Sequence, residues 1–371
     1  MILLVGAALF AFFAIGTWFW RAPLVGLIGS LGGCAPGWLI VFGTLIAVLT
    51  VIDGVTEVEV IAAALAVFTA ASGLYFTIDQ WRALRRHSVH ARLWDFFALI
   101  PRSGSGPDDI VTYGPVQGRT PRMAIYRAAP GDSPAPVVLN IHGGAWADGN
   151  ESSDTALSRA LADRGFLVFS ATYTLATADL QTWDIAPREI AGAMETAHRL
   201  SAQYGGSTSR FYVTGSSAGG HLATLVANRI SAGDDLGAGC GPLPTIGAVA
   251  VNIAAVDPSI HNPYWKVGDV ARRICKAFVG GPPDEFPERY AQVISANFLH
   301  PAAPPTLLTY GPNDWLVPCQ GTLDYARRAE GLGVEAATVA IPWTGHLVGL
   351  SGAGRRAIVQ LTIDWFDRHA G

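Results

Sequence analysis

Two kinds of hydrophobic pattern divide the chain. Through residue 78 the apolar positions run almost without interruption, and only Arg21, Asp53, Glu57 and Glu59 carry charge. Residues 2–20 are uncharged and rich in Leu, Phe and Trp, long enough to cross a bilayer as a helix. The run 22–52 is interrupted by Pro23, Gly32, Gly33 and Pro36, so its front reads as a loop or short hairpin and 36–52 as a second span. Residues 60–78 form a third. A cleaved signal peptide is the rival for the first run. That run lacks a basic lead, ends in Trp18-Phe19-Trp20 rather than small residues, and is followed by further apolar spans.

Beyond residue 105 short apolar runs alternate with amphipathic ones. Strands are expected at 136–141, 166–171, 210–214, 248–256, 305–310 and 334–341, with helices at 156–164, 187–203 and 221–228. Such alternation predicts an α/β domain with a mostly parallel sheet. Between the two regions, Leu93, Trp94, Phe96, Phe97 and Ile100 recur at near-helical spacing among Arg92 and Asp95. They predict an amphipathic helix, lying in the headgroup layer or packed on the domain that follows. The expected organisation is a transmembrane region over 1–80, a linker over 81–104 and one large domain over 105–371.

Charge refines this picture. Arg21 flanks the first span and Arg82, Arg85 and Arg86 follow the third, whereas the acidic loop 53–59 has no Lys or Arg. The excess of basic residues on one side places those arginines, and the domain after them, on the cytoplasmic face of a multi-pass membrane protein. A formal net charge of −4 without a basic stripe argues against a nucleic-acid partner. Cys34, Cys240, Cys275 and Cys319 are widely separated and show no metal-type spacing. Neither a phosphate-cradling G-x-x-x-x-G-K-[ST] nor an H-E-x-x-H occurs, so no metal or organic cofactor is expected. Nothing in the pattern addresses oligomeric state.

The chemistry gathers at strand ends. The strand-like segment from Arg210 runs into Gly215-Ser216-Ser217-Ala218-Gly219, a G-x-S-x-G that presents Ser217 on a sharp turn before a helix. The strand 136–141 ends in His142-Gly143-Gly144-Ala145-Trp146, where glycines can turn backbone N–H groups toward a developing negative charge. Gly143, Gly144 and the amide of Ala218 are the candidate oxyanion donors. Asp314 follows the strand 305–310, and His346 lies in the loop after 334–341, so serine, acid and base come in the order expected of such a strand–turn–helix fold. Asp257, Asp284, His261, His300 and His369 fall at less suitable places, and His142 and His221 read as loop braces. Trp146, Trp183 and Trp265 are candidate pocket walls.

Together HGGAW, GSSAGG, GPNDWLVP and the later Gly345-His346 resemble the α/β-hydrolase superfamily, in particular its hormone-sensitive-lipase-like and carboxylesterase branch, over roughly 105–371. The resemblance implies a mostly parallel sheet flanked by helices and an acyl-enzyme on Ser217, with His346 as general base and Asp314 orienting it. Two positions depart from it. Ser216 stands where an acidic residue is usual, and His346-Leu347-Val348 replaces the commoner His-Gly-Phe.

The expected function is therefore a membrane-anchored serine esterase or lipase acting on hydrophobic or lipid-derived esters, with the ester substrate and the lipid bilayer as its partners. Prenylcysteine methylesterases also combine membrane spans with this kind of domain. An acyltransferase would share the first half-reaction, and a non-catalytic ligand-binding protein would keep only the fold. A transporter is poorly supported, because the three spans offer no obvious ion pathway.

Overall fold

The computed structural model describes all residues except 23–24, 54–55, 100–103, 115–119, 132–133, 235, 238–240, 262–269 and 371. Pro23, Ile100, Cys240 and Trp265 thus lie outside the described residues. The apolar front of the chain folds as α1 (Ile2–Trp18), the short α2 (Val25–Gly29) and α3 (Leu31–Cys34), then α4 (Pro36–Asp53) and the long α5 (Glu57–Arg86). Thr56 caps α5 by accepting from the Glu59 amide at 3.4 Å. Glu57 and Glu59 open that helix and Arg85 and Arg86 close it, each sign at the dipole end that favours it.

Small residues let these helices approach closely. A Cβ built on Gly16 would stand 2.3 Å from Gly29 Cα, and one on Gly43 would stand 2.7 Å from Ala66 O. Phe10 and Phe42 stack at 4.2 Å between α1 and α4. Among the described residues α5 is the one helix long and apolar enough to cross a membrane; Ile2–Trp18 and Pro36–Ile52 are apolar but shorter. Helix α5 runs unbroken past residue 80, to Arg86. Among the described residues after α5, the segment expected as an amphipathic helix forms a single 3-10 turn over Leu93–Phe96. Phe96 is buried there, and Arg356 of the last helix holds Asp95 at 2.8 Å, so tertiary partners rather than helical periodicity shape this segment.

The remainder builds an eight-stranded sheet in the order β1-β2-β4-β3-β5-β6-β7-β8. Its strands are β1 (Asp109–Thr112), β2 (Arg122–Tyr126), β3 (Ala135–Ile141), β4 (Leu167–Ala171), β5 (Gly206–Ser216), β6 (Ile246–Asn252), β7 (Thr306–Tyr310) and β8 (Ala336–Ala340). Strands β3 to β8 pair in parallel, while β1 with β2 and β2 with β4 are antiparallel. The chain is an α/β hydrolase in fold.

Both faces of the central strands are covered, which explains their continuous apolar runs. Leu139, Phe169 and Val213 point into one core with Ile190 and Met194 of α7 (Ile185–Ser201) and Leu222 and Val226 of α8 (Ala218–Ser231). Their neighbours Val138, Val168 and Tyr212 point into the other, against Leu161 of α6 (Thr155–Ala162) and Leu361 and Trp365 of the last helix. Among the described residues four further α-helices follow α8: α9 (Val270–Val279), α10 (Pro287–Val293), α11 (Cys319–Gly331) and α12 (Gly352–Arg368).

Candidate active site

Strand register brings the motif loops together. Ile141, the last residue of β3, pairs with Gly215 of β5, and Ser216 pairs with Asn252 at the end of β6. The turn 142–146 and the serine turn therefore leave the sheet side by side. Ser217 sits at φ +54°, ψ −119°, a backbone strain that lifts its side chain out of the sheet before α8 begins. The surrounding glycines are steric requirements. A Cβ on Gly219 would lie 2.0 Å from Ile141 O and 2.4 Å from His142 O, and one on Gly215 would lie 2.6 Å from Gly219 O.

Ser217 Oγ lies 2.9 Å from His346 Nε2, and His346 Nδ1 lies 2.8 Å from Asp314 Oδ2. The second oxygen of Asp314 accepts from the amides of Leu316 and Val317, both at 2.9 Å. The carboxylate is thus buried but saturated with donors, and it holds the imidazole with Nε2 toward the serine. The three residues selected from the sequence meet in one line.

The turn after β3 lies against this line. A Cβ on Gly143 would stand 3.0 Å from Ser216 O and 3.4 Å from Ser217 Cβ, so the Gly143 backbone borders Ser217 directly. Gly144 adopts φ +113°, and a Cβ there would strike Asp148 O. Ala218 is buried as the first residue of α8. His142 donates from Nδ1 to Gly143 O at 2.6 Å and stacks on Tyr173 at 4.5 Å. His221 accepts from Trp146 Nε1 at 3.1 Å and donates to Val293 O at 2.7 Å. Burial pushes His221 down to about 4 and lowers His142 as well, so both are neutral braces. Ser216, which replaces the usual acid, donates to Asn252 Oδ1 at 2.9 Å and ties the turn to β6.

An apolar cavity of about 40 Å³ opens beside Ser217, walled by Trp146, Val256, Ile260, Ile274, Cys275 and Val317. Trp146 stacks on Phe278 at 4.4 Å, while Trp183 lines a separate depression near Arg188 and Arg229. Two features escaped the sequence reading. Residues 254–256 and α9 supply much of the pocket wall, and the loops that carry Asp314 and His346 rest on the N-terminal helices. No grouping of His, Cys, Asp and Glu suited to a metal ion occurs among the described residues.

A family model, BD-FAE, matches residues 123–328, more than half of the chain. The chain belongs to the BD-FAE family. Its curated relatives include the Probable carboxylic ester hydrolase LipM of Mycobacterium tuberculosis, 26% identical over 289 residues, covering 71% of this chain and 63% of that protein. The chain thus spans somewhat under two thirds of that relative's length. A probable isoprenylcysteine alpha-carbonyl methylesterase of Arabidopsis thaliana is 24% identical over 228 residues, covering 59% of this chain and 46% of that protein. Among solved structures, esterase LipW from Mycobacterium marinum superposes with a TM-score of 0.57 at 25% identity, over 80% of this chain and 90% of its own.

Proposed function

We propose that this BD-FAE family member is a serine carboxylic-ester hydrolase, with Ser217 as nucleophile, His346 as general base and Asp314 holding the imidazole. The carrying observation is the pair of contacts at 2.9 and 2.8 Å that joins the three side chains. Asp314 accepts a hydrogen bond from Nδ1–H, which keeps Nε2 unprotonated and free to take the Ser217 proton as Oγ attacks the ester carbonyl. Negative charge on the former carbonyl oxygen is met by backbone amides from Gly143, Gly144 and Ala218. His346 then passes its proton to the departing alkoxide, leaving an acyl-serine. Water, deprotonated by the same imidazole, attacks that acyl group; the acid is released and Ser217 regains its proton. The ester-hydrolase names of the relatives support the same reading.

We further propose that helices α1, α4 and α5 anchor the enzyme in a bilayer. Val41, Leu45, Val48, Val51 and Ile52 of α4 and Val60, Ile61, Val67 and Phe68 of α5 are exposed outward, an apolar surface that water does not favour. Arg21 and the Arg82–Arg86 cluster flank this region and favour a cytoplasmic position for the hydrolase. On this reading 1–80 is the anchor, 81–104 the connection and 105–371 the catalytic part. The substrate is a hydrophobic ester drawn from the membrane boundary, with a short acyl group in the narrow pocket beside Ser217.

The test compares the detergent-solubilised chain with its Ser217→Ala variant on p-nitrophenyl esters. Hydrolysis by the parent and its loss in the variant are expected. A parent that neither cleaves any such ester nor reacts at Ser217 with a fluorophosphonate would refute the assignment. For the anchor, the chain should stay in pelleted membranes after an alkaline carbonate wash, and its release into the supernatant would refute that part.

A further inference from the structure

The loops that carry the acid and the base rest on the ends of the N-terminal helices. Trp343, three residues before His346, adopts φ +65° and donates from Nε1 to Asp79 Oδ2 of α5 at 2.9 Å. Its ring packs among Trp18 at 4.8 Å, Phe76 at 4.9 Å and Tyr75 at 5.7 Å. The amide of Gly345, immediately before the histidine, donates to Cys34 Sγ at 3.3 Å. On the acid side, Asn313 donates from Nδ2 to Thr17 O at 3.1 Å, and its own amide donates to Thr344 O at 2.9 Å. The acid and base loops are therefore tied to each other and, together, to α1, α3 and α5.

Gly33 is where this arrangement is tightest. Its amide donates to Thr17 Oγ1 at 2.9 Å, and its carbonyl accepts from Gln80 Nε2 at 2.7 Å. The backbone of Trp343 lies directly on it: a Cβ there would come within 1.9 Å of Trp343 O. Only glycine lets the base loop seat this deeply against the helices. An independently folded hydrolase on a passive anchor would have no need of buried polar bonds between the anchor and the loops on either side of its histidine.

We infer that the N-terminal helices complete the active site, with Asp79 and Gly33 as positioning residues that set the placement of His346 through Trp343 and Gly345. This rests on the assignment of Ser217, Asp314 and His346 above. The helices touch none of the reacting atoms. Their effect is on how often the imidazole stands within reach of both Ser217 and Asp314, a matter of turnover rather than of substrate binding.

The experiment uses the full chain in detergent micelles, with Asp79→Ala, Asp79→Asn and Gly33→Ala variants matched for helix content and thermal unfolding. Asp79→Ala and Gly33→Ala should lower kcat for p-nitrophenyl acetate about tenfold, with KM within about twofold of the parent. Asp79→Asn should recover most of the loss, because its amide oxygen still accepts from Trp343. The downfield proton resonance of the His346–Asp314 hydrogen bond should weaken in Asp79→Ala and return in Asp79→Asn. An unchanged kcat in Asp79→Ala, or a loss expressed only in KM, would overturn the inference; so would an Asn variant no better than the Ala variant. If Gly33→Ala does not fold, the Asp79 pair decides. If the parent cleaves no ester, the functional assignment fails, while the resonance still reads the bracing: its response to Asp79→Ala supports it and its indifference refutes it.

Discussion

Ser217 Oγ and His346 Nε2 are 129 positions apart in the chain and 2.9 Å apart in the fold. That separation is closed by four parallel strands, β5 to β8, whose carboxyl ends lie along one edge of the sheet. In the proposed mechanism the pair works only if the imidazole keeps the right tautomer, which depends on Asp314.

Asp314→Asn should test that dependence. The amide can present its N–H toward Nδ1 and so favour the tautomer with the proton on Nε2, where it cannot accept from the serine. A fall in kcat of about 10⁴-fold is expected, with KM little changed. Steady-state kinetics on p-nitrophenyl acetate checks it; a fall under about tenfold would mean that the acid acts elsewhere.

Gly219→Ala should destabilise the fold itself. The added methyl would lie 2.0 Å from Ile141 O, where both partners are backbone and neither can rotate away. A cost of about 3 kcal/mol is expected, the upper part of the range for overpacking a core. Denaturant unfolding monitored by tryptophan fluorescence would reveal it, and a variant as stable as the parent would show that the turn yields.

The stability of the catalytic domain should fall on acidification through His221. Burial holds this imidazole at about 4 in the fold against an ordinary 6.5. Below 6.5 the unfolded chain binds a proton that the folded chain refuses, so the contribution is complete above 6.5 and lost as pH drops toward 4. The full effect is about 3 kcal/mol. Asp154 works in the opposite sense. Burial lifts its carboxyl from 3.8 to about 6, so its share is present below 3.8 and lost as pH rises toward 6. Thermal unfolding at pH 7.5 and 5.0 should show a drop in the parent that is reduced or reversed in His221→Gln. Equal drops would remove His221 from the account.

Acyl length should follow the pocket. The cavity beside Ser217, lined by Val256, Ile274 and Cys275 among others, is only about 40 Å³, so acetyl and butyryl esters should outrun palmitoyl ones. Ile274→Ala removes part of that wall without touching the three joined side chains. Its kcat/KM for hexanoyl relative to acetyl esters should rise about tenfold. A chain-length profile that does not change would place the acyl group elsewhere.

Much of the domain was legible because its signals are local. The strand positions from 136 onward show as apolar runs, since a strand buried on both faces needs no polar side. Ser217 shows through its glycines, which the close approach to Ile141 O requires at position 219. Other elements left weaker traces. Strand β1 is four residues long and mostly exposed at the sheet edge, so its sequence carries little apolar periodicity. Leu93–Phe97 spaces its apolar residues like a helix, yet forms one 3-10 turn because Phe96 and Asp95 find partners on α12 and in the core.

By itself, then, the sequence determined the order serine, acid, base, the alternation that makes the sheet, and the apolar character of the first 78 residues. These depend on residue type and short-range spacing, which a chain carries whether or not it is folded. Only the tertiary structure decided that the loops around Asp314 and His346, through Asn313, Trp343 and Gly345, sit on Thr17, Gly33, Cys34 and Asp79. Contacts between residues more than 250 positions apart leave no periodic trace in a single chain. They arise from packing and from the need of buried polar groups for partners, wherever the fold brings those partners within reach.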